Sequence, residues 1–402
     1  MCGLTLQKSS KKIAVEYLSA LSIGSLDLLA GATATLLLFY VGKVPWILAL
    51  FPILLTVRGD LVGVFTGVLT SSLHLGSVRP YFRKNTEEFY ELVSAVFFLG
   101  FSDGVLASIL MIIYQSSKSA NFLDIIYITF NTFQISSSIS IIVTSLIAFS
   151  IFRLGLDPDV YVYPIVSILN DVLVGFLIVL SLNILQPWNR TYFLAIGTIL
   201  FIFFNSIFIY SVYKSFKKRR FKKTVKEAYI AIIIGIFFSS LNGVFLSEST
   251  EFITKFPVLL IIYPAFIATL GNQAVIITSQ MTTALHIGIL EPDYKILYDN
   301  YFIKRATINY LVGVLIYTMY SIIGGIVFAL EKPIYLIKIL ATILLTNLIL
   351  YIFILLPFSV IVSFQTFKRG LDPDNIIISL LTTISDFSGT FLILTVSKIL
   401  LG

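Results

Sequence analysis

Long apolar blocks run through this chain, separated by short polar punctuation. A block of about 20 residues is what an α-helix needs to cross the hydrocarbon core of a bilayer. Such blocks predict spans at roughly 13–42, 46–76, 89–114, 122–151, 160–186, 191–213, 226–248, 256–289, 305–330, 333–364 and 375–400. These are eleven helices, several longer than a perpendicular crossing requires, so some must tilt, break or protrude. No stretch between them is long or polar enough for a soluble domain.

Composition strengthens this reading. Hydrophobic residues make up 57% of the 402 positions and charged residues 12%. Mean hydropathy is +0.97, outside the range of soluble domains. Charge placement then orients the chain. With a cytoplasmic N-terminus, the inside segments carry 20 lysines and arginines and the outside segments 7, with Arg58 inside a span, which accounts for all 28. Positive charge on the cytoplasmic side predicts N-in, C-out. The net charge of +7 comes largely from residues 214–226 and reads as an orientation signal, not a nucleic-acid patch. Lys11 and Lys12 before the first apolar run mimic a signal peptide, but that run is too long and has a counterpart at 226–248. A single cysteine, Cys2, excludes an internal disulfide or a cysteine metal cluster.

An internal repeat organises the spans. Gly155-Leu156-Asp157-Pro158-Asp159 recurs as Gly370-Leu371-Asp372-Pro373-Asp374, an offset of 215. Pro52, Gly59, Asp60, Leu73, His74 and Gly76 align with Pro264, Gly271, Asn272, Leu285, His286 and Gly288 at an offset of 212, as do Gly31 and Gly243. Each half supplies five helices, an odd number that would invert the second half. The unmatched span 191–213 restores a parallel orientation, with a pseudo-two-fold axis along the membrane normal. The fold class is therefore all-α and polytopic: a first five-helix repeat in 1–190, a linking transmembrane helix with a basic cytoplasmic loop in 191–225, and a second repeat in 226–402.

The acids in this repeat are the candidate chemistry. Asp157 and Asp372 precede a proline, an N-cap followed by Pro at the first helical position. Asp159 and Asp374 fall in the first turn, where the helix dipole favours negative charge. Helix capping is one reading of these four. It does not reach Asp171 and Asp386, which lie 14 residues further on, roughly 21 Å deeper at 1.5 Å per residue. Intramembrane carboxylates are costly and mark function by default. Asp372, Asn375, Ser379, Thr382, Asp386 and Thr390 fall within about 80° of helical phase. In the first half the corresponding face holds Asp157, Val160, Pro164, Ser167, Asp171 and Gly175. Carboxylates, hydroxyls and carbonyls without thiols form the ligand set of a hard divalent cation, and paired acids suit hydrated Mg²⁺. Asp60 and Asn272, each after a glycine, form a candidate secondary pair, with Arg58 placed to neutralise Asp60. His74 and His286 read as hydrogen-bonding groups at helix ends. Asp103 has no counterpart, since the 212 offset lands on Leu315.

These motifs resemble the membrane domain of the MgtE magnesium transporters. Asp-Pro-Asp, Ser/Thr and then a membrane Asp match its fifth helix, and Pro264…Gly271-Asn272…Leu285-His286-x-Gly288 matches its second. The chain looks like two such domains fused, as in the eukaryotic magnesium solute carriers. The resemblance implies Mg²⁺ moving between the halves with Asp171 and Asp386 at the centre, and Asp157, Asp159, Asp372, Asp374 and Asn375 near the cytoplasmic mouth. Ser167, Thr382, Asp60 and Asn272 complete the expected metal-facing set. It further implies a multi-pass protein of the cell membrane, not an enzyme, with the ion as cargo and no other cofactor, and functional as a monomer that is a pseudo-dimer. Val160, Ser379 and Asp60 depart from the family pattern, and the gating domains of the bacterial proteins are absent. An intramembrane aspartyl protease also needs two membrane aspartates, but its Gly-x-Gly-Asp motif is missing. A proton- or sodium-coupled carrier of another substrate is the alternative reading.

Overall fold

The computed structural model describes residues 9–115, 121–155, 158–185, 190–286, 290–291, 293, 299–327, 333–369 and 373–402. Among these there is no strand, and eleven helices are long and apolar enough to cross a membrane. In chain order they are α1 (Ser10–Phe39), α2 (Ile47–His74), α3 (Glu87–Gln115), α4 (Phe122–Arg153), α5 (Pro158–Leu185), α6 (Arg190–Ser215), α7 (Arg219–Glu248), α8 (Val258–His286), α9 (Asn300–Val327), α10 (Pro333–Leu350 continuing to Leu356–Arg369) and α11 (Pro373–Leu401). Each corresponds to one span read from the apolar blocks.

Local chemistry explains the ends and breaks. The Ser9 hydroxyl caps α1 by accepting from the Lys12 amide at 3.3 Å. Two 3₁₀ turns, Ile23–Asp27 and Leu36–Phe39, tighten α1. Pro158 and Pro373 open α5 and α11, where the missing amide hydrogen is no loss. Gly155, at φ +72°, closes α4 with its amide on the Phe152 carbonyl at 3.1 Å. The first glycine of the repeated motif is thus a left-handed helix terminator. In α10 a π turn spans Tyr351–Leu355. Pro357 follows, and its ring displaces the carbonyl four residues back, at Phe353, so the hydrogen-bond ladder widens there.

The basic run after α6 is more ordered than a loop. Helix α7 begins at Arg219, ahead of the apolar block, so only residues 216–218 link it to α6. Cations at a helix N-terminus oppose the dipole, and acids at the start of α3 offset them. Lys218 Nζ lies 2.8 Å from Glu87 Oε2, and Arg220 Nε lies 3.2 Å from Glu88 Oε1. The Arg220 guanidinium also donates to the Ser72 hydroxyl at 2.6 Å. The hydrogen bond that the Lys218 ammonium donates to Glu87 holds it above its ordinary pKa.

The helices form two compact units, one of Met1–Ala32 with Ser249–Gly402, the other of Thr33–Glu248. In the second, α2 packs on α3, α4, α5 and α7, while α3 packs on α4, α6 and α7. In the first, α8 packs on α9, α10 and α11, and the leading part of α1 lies along α9 and α8. The leading helix of each sequence repeat therefore packs with the remaining helices of the other repeat. One contact makes the exchange explicit. A Cβ on Gly31 would sit 1.8 Å from the Ile261 carbonyl oxygen, and one on Gly243 would sit 2.1 Å from the Ala49 carbonyl oxygen. Gly31 and Gly243 are separated by 212 positions, as are Ala49 and Ile261. The same backbone approach occurs twice, and only glycine permits it.

Candidate functional site

Helix α5 carries Ser167 and Asp171, and both side chains are half-buried. The neighbouring Asn170 is buried and its side-chain amide oxygen accepts from the Ser140 hydroxyl of α4 at 2.9 Å. On α2, Arg58 is 1% exposed, and none of its guanidinium nitrogens has a hydrogen-bond partner. The carboxylate whose charge acts on Arg58 is Asp171, on another helix. The sequence placed Arg58 to neutralise Asp60; because α2 also lies along α5, the charge of Asp171 acts on Arg58 as well. Asp60 is half-buried, and a Cβ on Gly235 of α7 would come within 2.5 Å of its Oδ2. A glycine of the exchanged helix thus makes room for this acid.

Helix α11 carries Thr382 and Asp386, again half-buried. The Thr390 hydroxyl donates to the Asp386 carbonyl at 2.6 Å and shares a 2.9 Å hydrogen bond with the Tyr263 hydroxyl of α8. Asp386 is near enough for its charge to act on Tyr263. A Cβ on Gly271 would meet the Thr382 methyl at 3.4 Å, so the Gly271-Asn272 turn of α8 abuts the polar stripe of α11. Asn272 itself is exposed.

Asp157 and Asp372 lie outside the described residues. Asp159, Asp374 and Asn375 stand in the first turns of α5 and α11, and their side chains are outside the description. His74 is exposed, its ring edge-on to Phe152 at 6.0 Å. Sequence reasoning missed the Arg58–Asp171 relation and the Tyr263–Thr390 bond. An arginine in an apolar span was the signal for the first, and its partner needed helix packing. Among the described residues, no three acidic, histidine or cysteine side chains gather as a metal cluster. Each half offers instead one half-buried aspartate with a hydroxyl four residues before it.

The model of a divalent cation transporter family, MgtE, matches residues 51–182 and again 263–396. The chain belongs to the MgtE family. The double match falls on the two sequence repeats and includes α2 to α5 and α8 to α11, with Asp171 and Asp386 in its two copies. This is a multi-pass membrane protein of a transporter family. No curated protein sequence matches it. The crystal structure of the eukaryotic MATE transporter AtDTX14 aligns over 98% of this chain and 95% of its own at 11% identity, with a TM-score of 0.29, too low to carry an argument.

Proposed function

We propose that this MgtE-family chain moves Mg²⁺ across the membrane along a path between its two repeats, with Asp171 and Asp386 holding the ion. The observation that carries this is the pair itself: one aspartate midway along α5 and one midway along α11, at equivalent positions of the two family-matched regions. Ser167 and Thr382 add hydroxyl oxygens one turn earlier. The acids before and within the first turns of α5 and α11, with Asn375, form the cytoplasmic mouth, and Asp60 with Asn272 a secondary station. Two carboxylates neutralise a divalent charge, while retained waters complete an octahedral shell. Both acids come from one polypeptide, so a single chain forms the complete path.

Mg²⁺ flux into proteoliposomes tests this. Asp171→Asn and Asp386→Asn are each expected to lower flux at least tenfold, because losing either charge removes half of the electrostatic hold. Wild-type flux in both variants would sink the reading. Mixing the two variants in one membrane is expected to restore nothing, and restored flux would show that halves pair between chains. Cysteine labelling at residues 216 and 402 in a Cys2-free background checks orientation, with 216 expected on the cytoplasmic side and 402 on the other. The second reading, a proton- or sodium-coupled carrier of another substrate, draws on the unequal charges of the two repeats. It predicts flux that follows a Na⁺ or H⁺ gradient and is indifferent to Mg²⁺.

A further inference from the structure

Asp103 of α3 is unused by the divalent path and has no acid at the equivalent position of the second repeat. It is 0% exposed, and neither carboxylate oxygen has a hydrogen-bond partner. Its helix face is built of small residues, Gly100, Gly104 and Ala107, which let α4 approach closely. A Cβ on Gly100 would lie 2.9 Å from Ser137 Oγ, and one on Gly104 would lie 3.0 Å from Gln134 Nε2. Ser137 and Gln134 therefore lie over the two glycines that bracket Asp103.

The hydrogen-bond inventory of this pocket is one-sided. The Gln134 amide nitrogen is committed to the Gly100 carbonyl at 3.2 Å. Its Oε1 and the Ser137 Oγ are buried without partners. Asp60 of α2 is close enough for its negative charge to act on Asp103. Buried oxygens are thus in surplus, and a positive charge is missing. An uncompensated carboxylate inside a membrane protein is expensive.

We propose that Asp103, Gln134 and Ser137 form a site for a small monovalent cation of the Na⁺ class, bound without its water shell. One carboxylate neutralises one unit charge, and the amide and hydroxyl oxygens replace lost water. None of these three residues belongs to the divalent path, although Asp60, its secondary station, acts on Asp103 by its charge.

Equilibrium binding of radioactive Na⁺ to the purified full chain, in the presence of a divalent chelator, tests this without any transport step. Saturable binding and Na⁺-dependent thermal stabilisation, not reproduced by choline, are expected in wild type and in Asp386→Asn. Asp103→Asn should abolish both, and Ser137→Ala should weaken the affinity several-fold. Absence of saturable binding in wild type, or equal binding by Asp103→Asn, would overturn the site. If Asp103→Asn fails to fold, Ser137→Ala decides, and unchanged affinity there counts against the proposal. Infrared spectroscopy closes the remaining route. A carboxylic-acid C=O band that persists at saturating Na⁺ in wild type and Ser137→Ala but is absent from Asp103→Asn would show that a proton, not a metal ion, satisfies Asp103.

Discussion

Asp171 works against a buried arginine, whereas Asp386, its counterpart 215 residues on, has a tyrosine within reach of its charge. Leu270 stands in the second repeat where Arg58 stands in the first, Asn272 stands for Asp60, and Leu315 for Asp103. Conversely, Tyr263 replaces Phe51 and Thr390 replaces Gly175. The repeat has kept the acid and rebuilt its surroundings. In the first copy the acid belongs to a set of charges. In the second it belongs to a set of hydroxyls. Two protomers of a symmetric dimer would have to share one surrounding, so covalent fusion is what lets the two acids differ.

Removing the carboxylate that acts on Arg58 should have the largest effect. Asp171→Asn takes away the charge that acts on this buried guanidinium, and an uncompensated buried charge is costly, so a clear loss of thermal stability is expected. Asp386→Asn removes a charge that acts on Tyr263 and is expected to change thermal stability far less, although both variants are expected to lower flux at least tenfold. Adding Arg58→Leu, the residue of the second repeat, to Asp171→Asn should recover most of the lost stability. Equal melting temperatures for the two single variants would erase the distinction between the repeats.

The reciprocal glycine contacts come next. Gly31→Ala and Gly243→Ala each force a methyl into a carbonyl oxygen, and overpacking of this kind costs about 1–3 kcal/mol. Similar losses at the two sites, measured by thermal unfolding in detergent, are expected because the contact is the same contact made twice. A neutral result at either would show that the exchange is not symmetric. Tyr263→Phe makes the second repeat resemble the first and removes one hydrogen bond to Thr390, a loss of about 1 kcal/mol. Smallest of all is Lys218→Ala. This exposed contact to Glu87 should leave stability unchanged at neutral pH. With the ammonium held above its ordinary pKa, whatever the contact contributes is present below that value and fades only as pH rises through the alkaline range. A shift near pH 7 would contradict the exposed geometry.

The spans were legible because hydropathy reports what a helix does to lipid, and all eleven blocks stand as helices. What hydropathy cannot see is which helix a helix touches. Gly31 and Gly243 stood out as repeat positions, yet nothing in the letters said that each would meet the other half's backbone. The π turn of α10 was equally hidden, although Pro357 lay in plain view. At the site, Asp171 and Asp386 could be found by symmetry alone. Arg58 could be recognised as anomalous but not assigned a partner, since that depends on α2 lying along α5. Asp103 was harder still, because having no counterpart deprived it of the one argument that had exposed the others.

The exchange of leading helices also governs the order in which the molecule can be completed during synthesis. Helix α1 is inserted long before α8 and α9 exist, so it must wait in lipid while six further spans are laid down. The other unit closes first, as soon as α7 arrives. The chain therefore keeps one unmatched helix in the membrane through most of its own translation, and α1 can do so because most of its surface is acceptable to lipid. A chain severed between α6 and α7 would yield fragments that each carry the leading helix the other needs, so the two pieces would have to find one another to finish either unit.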